Sequence, residues 1–232
     1  MPLVSIHEFT SCVNRLAAEG QAFLFLIDFE MQKPFYCLLE NAAEEGVFYS
    51  VNGNTNAKVK KSDFIPSISG VNPVDWKQYS EAFQAVQRHL HLGDTYLLNL
   101  TFQTRIGVSG RLNDIFHGAQ AKYKLLFKDQ FTLFSPESFV KIQDSHIYSF
   151  PMKGTIDAAV PDAEKIILAD KKEEYEHNTI VDLIRNDISM VSEEVTVPRF
   201  RYIDKIDTSH GRILQVSSEV RGKLPAGWRN RL

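Results

Sequence analysis

The chain of 232 residues and 26.5 kDa is nearly electroneutral and has an ordinary globular composition. It carries 26 Lys and Arg against 29 Asp and Glu, which gives a formal net charge of −3 and a pI near 6.2. This balance gives no electrostatic support for nucleic-acid binding, because such a surface needs an excess of basic charge. The 44% apolar and 24% charged residues exclude a disordered, collagen-like or coiled-coil chain.

The two cysteines and the N-terminal sequence indicate an intracellular compartment. Cys12 and Cys37 are too few and too isolated for a disulfide framework or a structural zinc site, so we expect both to be reduced and partly buried. No signal peptide is apparent in MPLVSIHEFT, and the apolar run at residues 23–27 is far shorter than the ~18 residues of a membrane span. We therefore expect a cytoplasmic protein without membrane contact.

The first half of the chain predicts a hairpin and an amphipathic helix. Residues 22–40 form two apolar stretches around the turn-prone Gln32-Lys33-Pro34. Within residues 74–92 four apolar side chains are spaced by four, three and four, and Gly93 predicts the end of this helix. The four are Tyr79, Phe83, Val86 and Leu90. A strand over 95–106 and a weaker helix over 112–123 are expected next.

The second half predicts strands on both sides of a helical region. Residues 131–150 alternate as a strand pair around Asp144-Ser145, and residues 161–192 have helical spacing, with Ile180, Leu183, Ile184 and Ile188 on one face. Strands return over 195–197, 199–206 and 213–220. This order predicts an α+β fold with mixed or antiparallel sheets. A division into a variable subdomain, residues 1–70, and a catalytic core portion, residues 71–232, is expected.

Three stretches combine functional groups with unusual backbone positions. Glu137 interrupts an apolar strand pair in SPESF, although an exposed Glu is the more common explanation. Lys153 lies beside Gly154 in PMKGT, where the backbone can approach a ligand closely, although lysines at strand ends are usually only solvated. Glu176 shares a helical stripe with Ile180, and burial without a partner would be costly. Its partner is either a lysine, at 171 or 172, or Arg185, or else Mg²⁺, which accepts one or two carboxylates.

Five ordered blocks together resemble one family, the chorismate-binding enzymes, which include the component I chains of anthranilate synthase and aminodeoxychorismate synthase. The blocks are GDTYLLNLTF (93–102), SPESF (135–139), PMKGT (151–155), EHNTIVDLIRNDISMV (176–191) and VSSEVRGKL (216–224). The resemblance implies the two-subdomain fold of that family. Because the chain stops at PAGWRNRL, directly after a strand-like segment, we expect that the C-terminal third of that fold, with a second metal-binding Glu, is missing.

The resemblance also implies an activity. Aminodeoxychorismate synthases typically carry Lys in the third position of the P-x-K-G-T block and anthranilate synthases Ala, so Lys153 favours the former. The expected reaction converts chorismate and ammonia to 4-amino-4-deoxychorismate, in the synthesis of p-aminobenzoate and folate. A glutamine amidotransferase subunit, component II, would supply the ammonia.

The same resemblance implies roles for five residues. The amine of Lys153 would attack C2 of chorismate, which requires a depressed pKa, and Glu137, with a raised pKa, would be the general acid and base. Glu176 would bind Mg²⁺, which anchors the ring carboxylate. Gly154 and Thr155 would donate hydrogen bonds to substrate oxygens.

Gln215 is a departure from the family pattern, because many relatives place a His near this point of the strand. A Gln there fits an enzyme that retains the enol-pyruvyl group, but it is also consistent with a changed hydrogen-bond partner, and a shifted alignment would bring in His210. Two alternatives stay open for the whole chain. One is an anthranilate or isochorismate synthase of the same family, and the other is a fragment that binds a ligand or partner without turnover.

Overall fold

A computed structural model describes residues 5–58, 66–96, 98–135, 137–208 and 211–228. The helices in these residues are α1 Ile6–Ala18, α2 Trp76–Leu92, α3 Leu112–Gly118, α4 Ala163–Ala169 and α5 Lys171–Ser189. The strands are β1 Phe23–Leu26, β2 Phe35–Leu38, β3 Val47–Val51, β4 Asn54–Thr55, β5 Ile68–Asn72, β6 Arg105–Val108, β7 Tyr123–Phe127, β8 Phe131–Ser135, β9 Lys141–Gln143, β10 His146–Ser149, β11 Met152–Asp157, β12 Glu193–Thr208 and β13 Gly211–Lys223. All strand pairs are antiparallel, which confirms the predicted α+β class.

The chain divides into two compact units. One consists of residues 1–58 together with 120–232, and the other of residues 59–119. The smaller unit contains the β5–β6 pair with α2 and α3. The predicted subdivision into residues 1–70 and 71–232 stays a prediction.

Helix α2 ends where the sequence predicts and begins two residues later than expected, at Trp76. The Asp75 side chain accepts a hydrogen bond from the Gln78 N–H at 3.0 Å, and Gly93 ends the helix with a left-handed φ of 78°. None of its described side chains is buried, however, and Phe83 is 44% exposed. The helical spacing therefore predicts the helix correctly without identifying a core.

The expected strand over residues 95–106 is largely absent from the described part of the chain. Only Arg105–Val108 is a strand, and it pairs with β5. A β-rich composition forms a strand only where a neighbouring strand takes its backbone hydrogen bonds, which is why the pattern over-predicts here. The weaker helix is α3, which ends at Gly118, before β7 begins at Tyr123.

The N-terminal part of the larger unit contains two small sheets. The predicted hairpin is confirmed, with Phe23 opposite Leu38 and Leu26 opposite Phe35. A second sheet has the order β4-β3-β7-β8. Cys37, Ala42, Val47 and Leu125 form the buried cluster in this region.

The C-terminal sheet is organised around β13. One edge of β13 pairs with β12, while the other pairs first with β11 and then with β10, which in turn pairs with β9. Helix α5 packs on this sheet through Val181 and Ile188, which form a buried cluster with Ile147, Val220 and Leu224. The sheet and the helix fix the positions of the predicted site residues on β11, β13 and α5.

The helical region predicted over residues 161–192 is confirmed as two helices. Asp170 follows α4 and also caps α5, because its Oδ1 accepts a hydrogen bond from the Glu173 N–H at 3.0 Å. None of the helices in the described ranges is both long enough and apolar enough to span a membrane.

Candidate active site

A bulge in β11 brings three of the predicted site residues together. Lys153 is opposite Val216 and Thr155 is opposite Gln215, so Gly154 is an extra residue with no partner on β13. Its φ of 73° lies in the left-handed region, which glycine adopts without steric cost. Thr155 is exposed, whereas Gln215 is only 4% exposed.

Lys153 is half-buried at this bulge. Its ammonium forms neither an ion pair nor a hydrogen bond with any residue that the structure describes. Most other described lysines on this sheet and its helices are in ion pairs, including Lys171, Lys172 and Lys205. The amine is therefore available to a ligand.

Glu173 lies directly against the bulge, a contact that the sequence did not indicate. A Cβ on Gly154 would be 3.1 Å from the Glu173 Oε2 atom. The Glu173 side chain is 25% exposed, and Lys172 Nζ lies 3.5 Å from its Oε1. A carboxylate on the first turn of α5 thus lies next to the residue that follows Lys153.

Glu176, the predicted metal ligand, lies one turn further along α5. Its Oε1 is 3.1 Å from Lys172 Nζ, and its side chain is 40% exposed. The two carboxylates raise the pKa of Lys172, Glu176 first through its hydrogen bond and charge and then Glu173. Lys172 therefore contacts both acids, which is the arrangement expected if the partner of Glu176 is a lysine and not a metal ion.

The predicted core-facing stripe of α5 is confirmed at Ile184 and Ile188, which pack in the buried cluster, but Glu176 is not part of it. The buried residues of the helix are His177, Val181 and Ile188, whereas Leu183 is 47% exposed. The physical reason is that a polar residue, His177, occupies a buried position through a hydrogen bond to the sheet. Apolar spacing therefore predicts the C-terminal part of the stripe and misplaces its N-terminal part by one residue.

The described residues contain no group of three or more His, Cys, Asp or Glu side chains arranged to hold a metal ion. They do provide two carboxylates, Glu173 and Glu176, on successive turns of one helix. Mg²⁺ commonly binds one or two protein carboxylates and takes its remaining oxygens from water and substrate. Glu173 and Glu176 are therefore donors of the type that Mg²⁺ accepts, and Lys172 contacts both of them in this structure.

Glu137, the predicted general acid, is exposed in the segment between β8 and β9. The backbone N–H of Glu137 donates a hydrogen bond to the Ser135 hydroxyl at 3.0 Å. Pro136 lies outside the described residues. Further along, the Ser149 hydroxyl donates to the Phe139 carbonyl at 3.2 Å, which places this segment beside the end of β10. Among the described contacts, no hydrogen bond or ion pair joins Glu137 to Lys153 or Glu176.

A buried polar cluster beneath α5 was not predicted from the sequence. His177 Nε2 is 2.7 Å from the Ser218 hydroxyl oxygen, and the two residues are 1% and 0% exposed. Burial, and then the charge of Arg201, lower the pKa of His177 to about 4. The imidazole is therefore neutral at physiological pH. His210, the alternative to Gln215 in the sequence, lies outside the described residues.

Comparisons with curated proteins identify the family to which the chain is similar. A model of the family described as chorismate binding enzyme matches residues 37–230. The chain is 45% identical over 228 residues to an uncharacterized PabA-like protein of Haemophilus influenzae, covering 98% of this chain and 69% of the relative. It is 28% identical over 191 residues to aminodeoxychorismate synthase component 1 of Escherichia coli, covering 73% of this chain and 42% of that enzyme.

Solved structures show the same fold. MenF, the menaquinone-specific isochorismate synthase from Escherichia coli, superimposes with a TM-score of 0.61 at 12% identity, over 95% of this chain. The match covers 59% of the MenF chain, so the present chain spans less than two thirds of this structural relative. The match over residues 37–230 shows that the chain belongs to the chorismate binding enzyme family.

Proposed function

We propose that the chain is aminodeoxychorismate synthase component I, which converts chorismate and ammonia to 4-amino-4-deoxychorismate. The observation that carries the proposal is that Lys153 is half-buried, that its amine has no ion-pair partner among the described residues, and that it adjoins the Gly154 bulge, against which Glu173 of α5 lies. The similarity to the Escherichia coli enzyme of that name supports it.

Lys153 begins the reaction as a nucleophile. Its neutral amine forms a bond to C2 of chorismate, the ring double bonds shift, and the bond between C4 and its hydroxyl oxygen breaks. Hydroxide is a poor leaving group, so Glu137 donates a proton and water departs. The covalent intermediate divides one difficult substitution into two easier steps.

Ammonia completes the substitution. It attacks C4 of the covalent intermediate, the double bonds shift back, and the bond between C2 and the Lys153 nitrogen breaks. Glu137, now a carboxylate, accepts the proton that ammonia loses and is ready for another cycle. The net reaction consumes one chorismate and one ammonia and releases one water. In the proposed assembly a glutamine amidotransferase subunit supplies the ammonia.

The remaining predicted residues bind the substrate. Gly154 and Thr155 provide backbone and hydroxyl donors at the bulge, and Gln215 lies opposite Thr155 in the register. Mg²⁺ would be held by Glu176, with Glu173 as the second carboxylate that Lys172 contacts. When bound, the ion would supply positive charge that anchors the ring carboxylate of the substrate.

The test is a product assay on the purified chain with chorismate, ammonium chloride and MgCl₂, analysed by liquid chromatography and mass spectrometry. We expect 4-amino-4-deoxychorismate from the natural sequence and at least ~100-fold less from Lys153→Ala, because covalent catalysis is lost. Lys205→Ala is the matched control, since Lys205 lies on the same sheet and pairs with Glu164 at 3.4 Å. It should retain activity.

Other products or none would overturn the proposal. Anthranilate or isochorismate as the only product would select another activity of the family. No turnover, with chorismate binding detected by calorimetry, would make the chain a binding module. Equal turnover by Lys153→Ala and the natural sequence would remove the nucleophile assignment.

A further inference from the structure

The backbone of Arg201 is strained, which is unusual for a residue inside a strand. Its φ of 48° lies in the left-handed region, where a side chain costs about 1–2 kcal/mol. Arg201 lies in the last of three irregularities of β12, where the register moves from Arg199 opposite Glu219 to Tyr202 opposite Ser217. Three residue steps along β12 are therefore opposite only two along β13. Other contacts of Arg201 must offset the backbone strain.

The contacts of Arg201 join three elements. Its backbone N–H donates to the Ser218 hydroxyl on β13 at 2.9 Å. Its Nη2 donates to the carbonyl of Leu168, in the last turn of α4, at 2.9 Å, and its Nη1 lies 3.6 Å from Glu174 Oε1 on α5. The side chain is only 12% exposed, so these charged contacts are shielded from water.

Ser218 continues the network to His177. Because its oxygen already accepts the Arg201 N–H, its own hydroxyl proton can be donated to His177 Nε2, 2.7 Å away. The ring proton then lies on Nδ1, which has no hydrogen-bond partner among the described atoms. Both residues are fully buried, so neither can touch a ligand. Their function must be exerted through the elements that they join.

On α5, each of the acids Glu173 and Glu176 is followed directly by a residue that this network holds in place. Glu174, held by Arg201, follows Glu173, and His177, held by Ser218, follows Glu176. A small displacement of these turns would move both acids relative to the bulge at Gly154, where Glu173 Oε2 would be only 3.1 Å from a Cβ. Misplacement by about 1 Å can reduce turnover about 100-fold.

We infer that Arg201, Ser218 and His177 are positioning residues that fix Glu173 and Glu176 against the Lys153–Thr155 bulge. The inference rests on the proposed function for its catalytic consequence, but its structural part can be tested separately. Ser218 is the central residue, because its hydroxyl contacts both of the others.

The structural test compares Ser218→Ala with Ser192→Ala. Ser192 is the matched control, because its hydroxyl bonds the Ile188 carbonyl at 2.7 Å near the other end of α5. In Ser218→Ala we expect amide hydrogen exchange over residues 171–178 to accelerate at least ~10-fold. The Gly154 amide signal should also shift in the ¹⁵N NMR spectrum. Ser192→Ala should show neither change, and unchanged exchange and signal in Ser218→Ala would overturn the inference.

The catalytic test separates positioning from general stability. Ser218→Ala should lower kcat for aminodeoxychorismate at least ~10-fold while KM for chorismate changes less than ~3-fold, and Ser218→Thr, which keeps a hydroxyl, should recover most of kcat. Normal kcat in a Ser218→Ala protein with accelerated exchange would also overturn the inference. Arg201→Lys is the second variant if Ser218→Ala fails to fold. If the natural sequence forms no aminodeoxychorismate, the proposed function is wrong. The hydrogen-exchange and NMR measurements then test by themselves whether the three residues position the two acids.

Discussion

The Glu173 carboxylate lies so close to Gly154 that a Cβ at residue 154 would be 3.1 Å from Oε2. This contact joins the bulge that carries Lys153 to the helix that carries Glu176. Glycine is favoured at residue 154 by its positive φ, and a Cβ there would also require the Glu173 carboxylate to shift by a few tenths of an ångström.

Gly154→Ala should therefore reduce turnover in addition to the stability that backbone strain alone would remove. We expect a loss of about 1–2 kcal/mol in the free energy of unfolding from the φ of 73°, and an additional fall in turnover because Glu173 must move. Gly20→Ala is the matched control, because Gly20 has a φ of 69° but nothing within 4 Å of an added Cβ. Urea unfolding and the product assay measure the two effects. Equal turnover in both variants would show that the Glu173 contact is unimportant.

Glu176→Gln should weaken the affinity of the protein for Mg²⁺. The substitution removes the charge that Mg²⁺ would need while keeping the shape of the side chain, so the Mg²⁺ concentration for half-maximal activity should rise at least ~10-fold. Glu164→Gln, an exposed acid on α4 that pairs with Lys205, is the control and should leave the titration unchanged. An unaltered Mg²⁺ titration in Glu176→Gln would count against this ligand.

The buried His177 should make the protein less stable in acid. Its pKa is about 4 in the folded protein, against 6.5 for an ordinary histidine, so the unfolded chain binds more protons below pH 6.5. Its contribution to stability is present above pH 6.5 and is lost as the pH falls towards 4, by about 2 kcal/mol between pH 7 and pH 5. The ring contacts the Ser218 hydroxyl and packs edge-on against Phe200, and Arg201 is the charged group that lowers its pKa further.

His177→Gln should show a smaller loss over that pH range, although it should be less stable at pH 7. Urea unfolding at pH 7, 6 and 5 for both proteins gives the difference. Because the acids of the chain titrate in both proteins, their contribution cancels in the comparison. Parallel pH profiles would show that His177 is already protonated, or exposed, in the folded state.

The two thiols should differ in reactivity. Cys37 is 7% exposed, and burial, followed by the charge of Glu45, raises its pKa, which lowers the thiolate fraction. Cys12 is half-buried on α1. With a thiol reagent at pH 8 we expect one fast phase from Cys12 and a second at least ~10-fold slower from Cys37. Cys12→Ser should abolish the fast phase, and both thiols should react together in denaturant.

Local signals in the sequence predict the elements that depend on local chemistry. Gly93 supplies the left-handed residue that ends α2, and the turn at Gln32-Lys33-Pro34 joins two apolar strands. The strand expected over residues 95–106 forms only from Arg105 onwards, where a partner strand is present, and the composition carries no information about where a partner lies. Propensity is therefore sufficient for the helix and insufficient for the strand.

The candidate site also has a part that local sequence signals predict and a part that depends on distant contacts. Lys153, Gly154 and Thr155 are adjacent in the sequence, so their proximity follows directly, and the position of Gln215 opposite Thr155 requires only the correct pairing of β11 with β13. Ile184 and Ile188 on the buried face of α5 were predicted, whereas the burial of His177 could not be, because the partner of its Nε2 is a serine 41 residues away. Glu173 was missed for the same reason, since its significance arises from contact with a distant glycine.

The irregular pairing of β12 affects how the chain could tolerate changes in length. From Glu193 to Tyr202 this strand takes nine steps while β13 takes six, from Lys223 to Ser217. The two surplus residues between Glu193 and Arg199 mark places where one amino acid could be deleted and the regular ladder restored locally, whereas the third lies at Arg201, whose contacts a deletion would remove. A deletion in β13 would instead turn every following side chain to the opposite face of the sheet. Natural length variation should therefore accumulate in β12 and be excluded from the strand beside it.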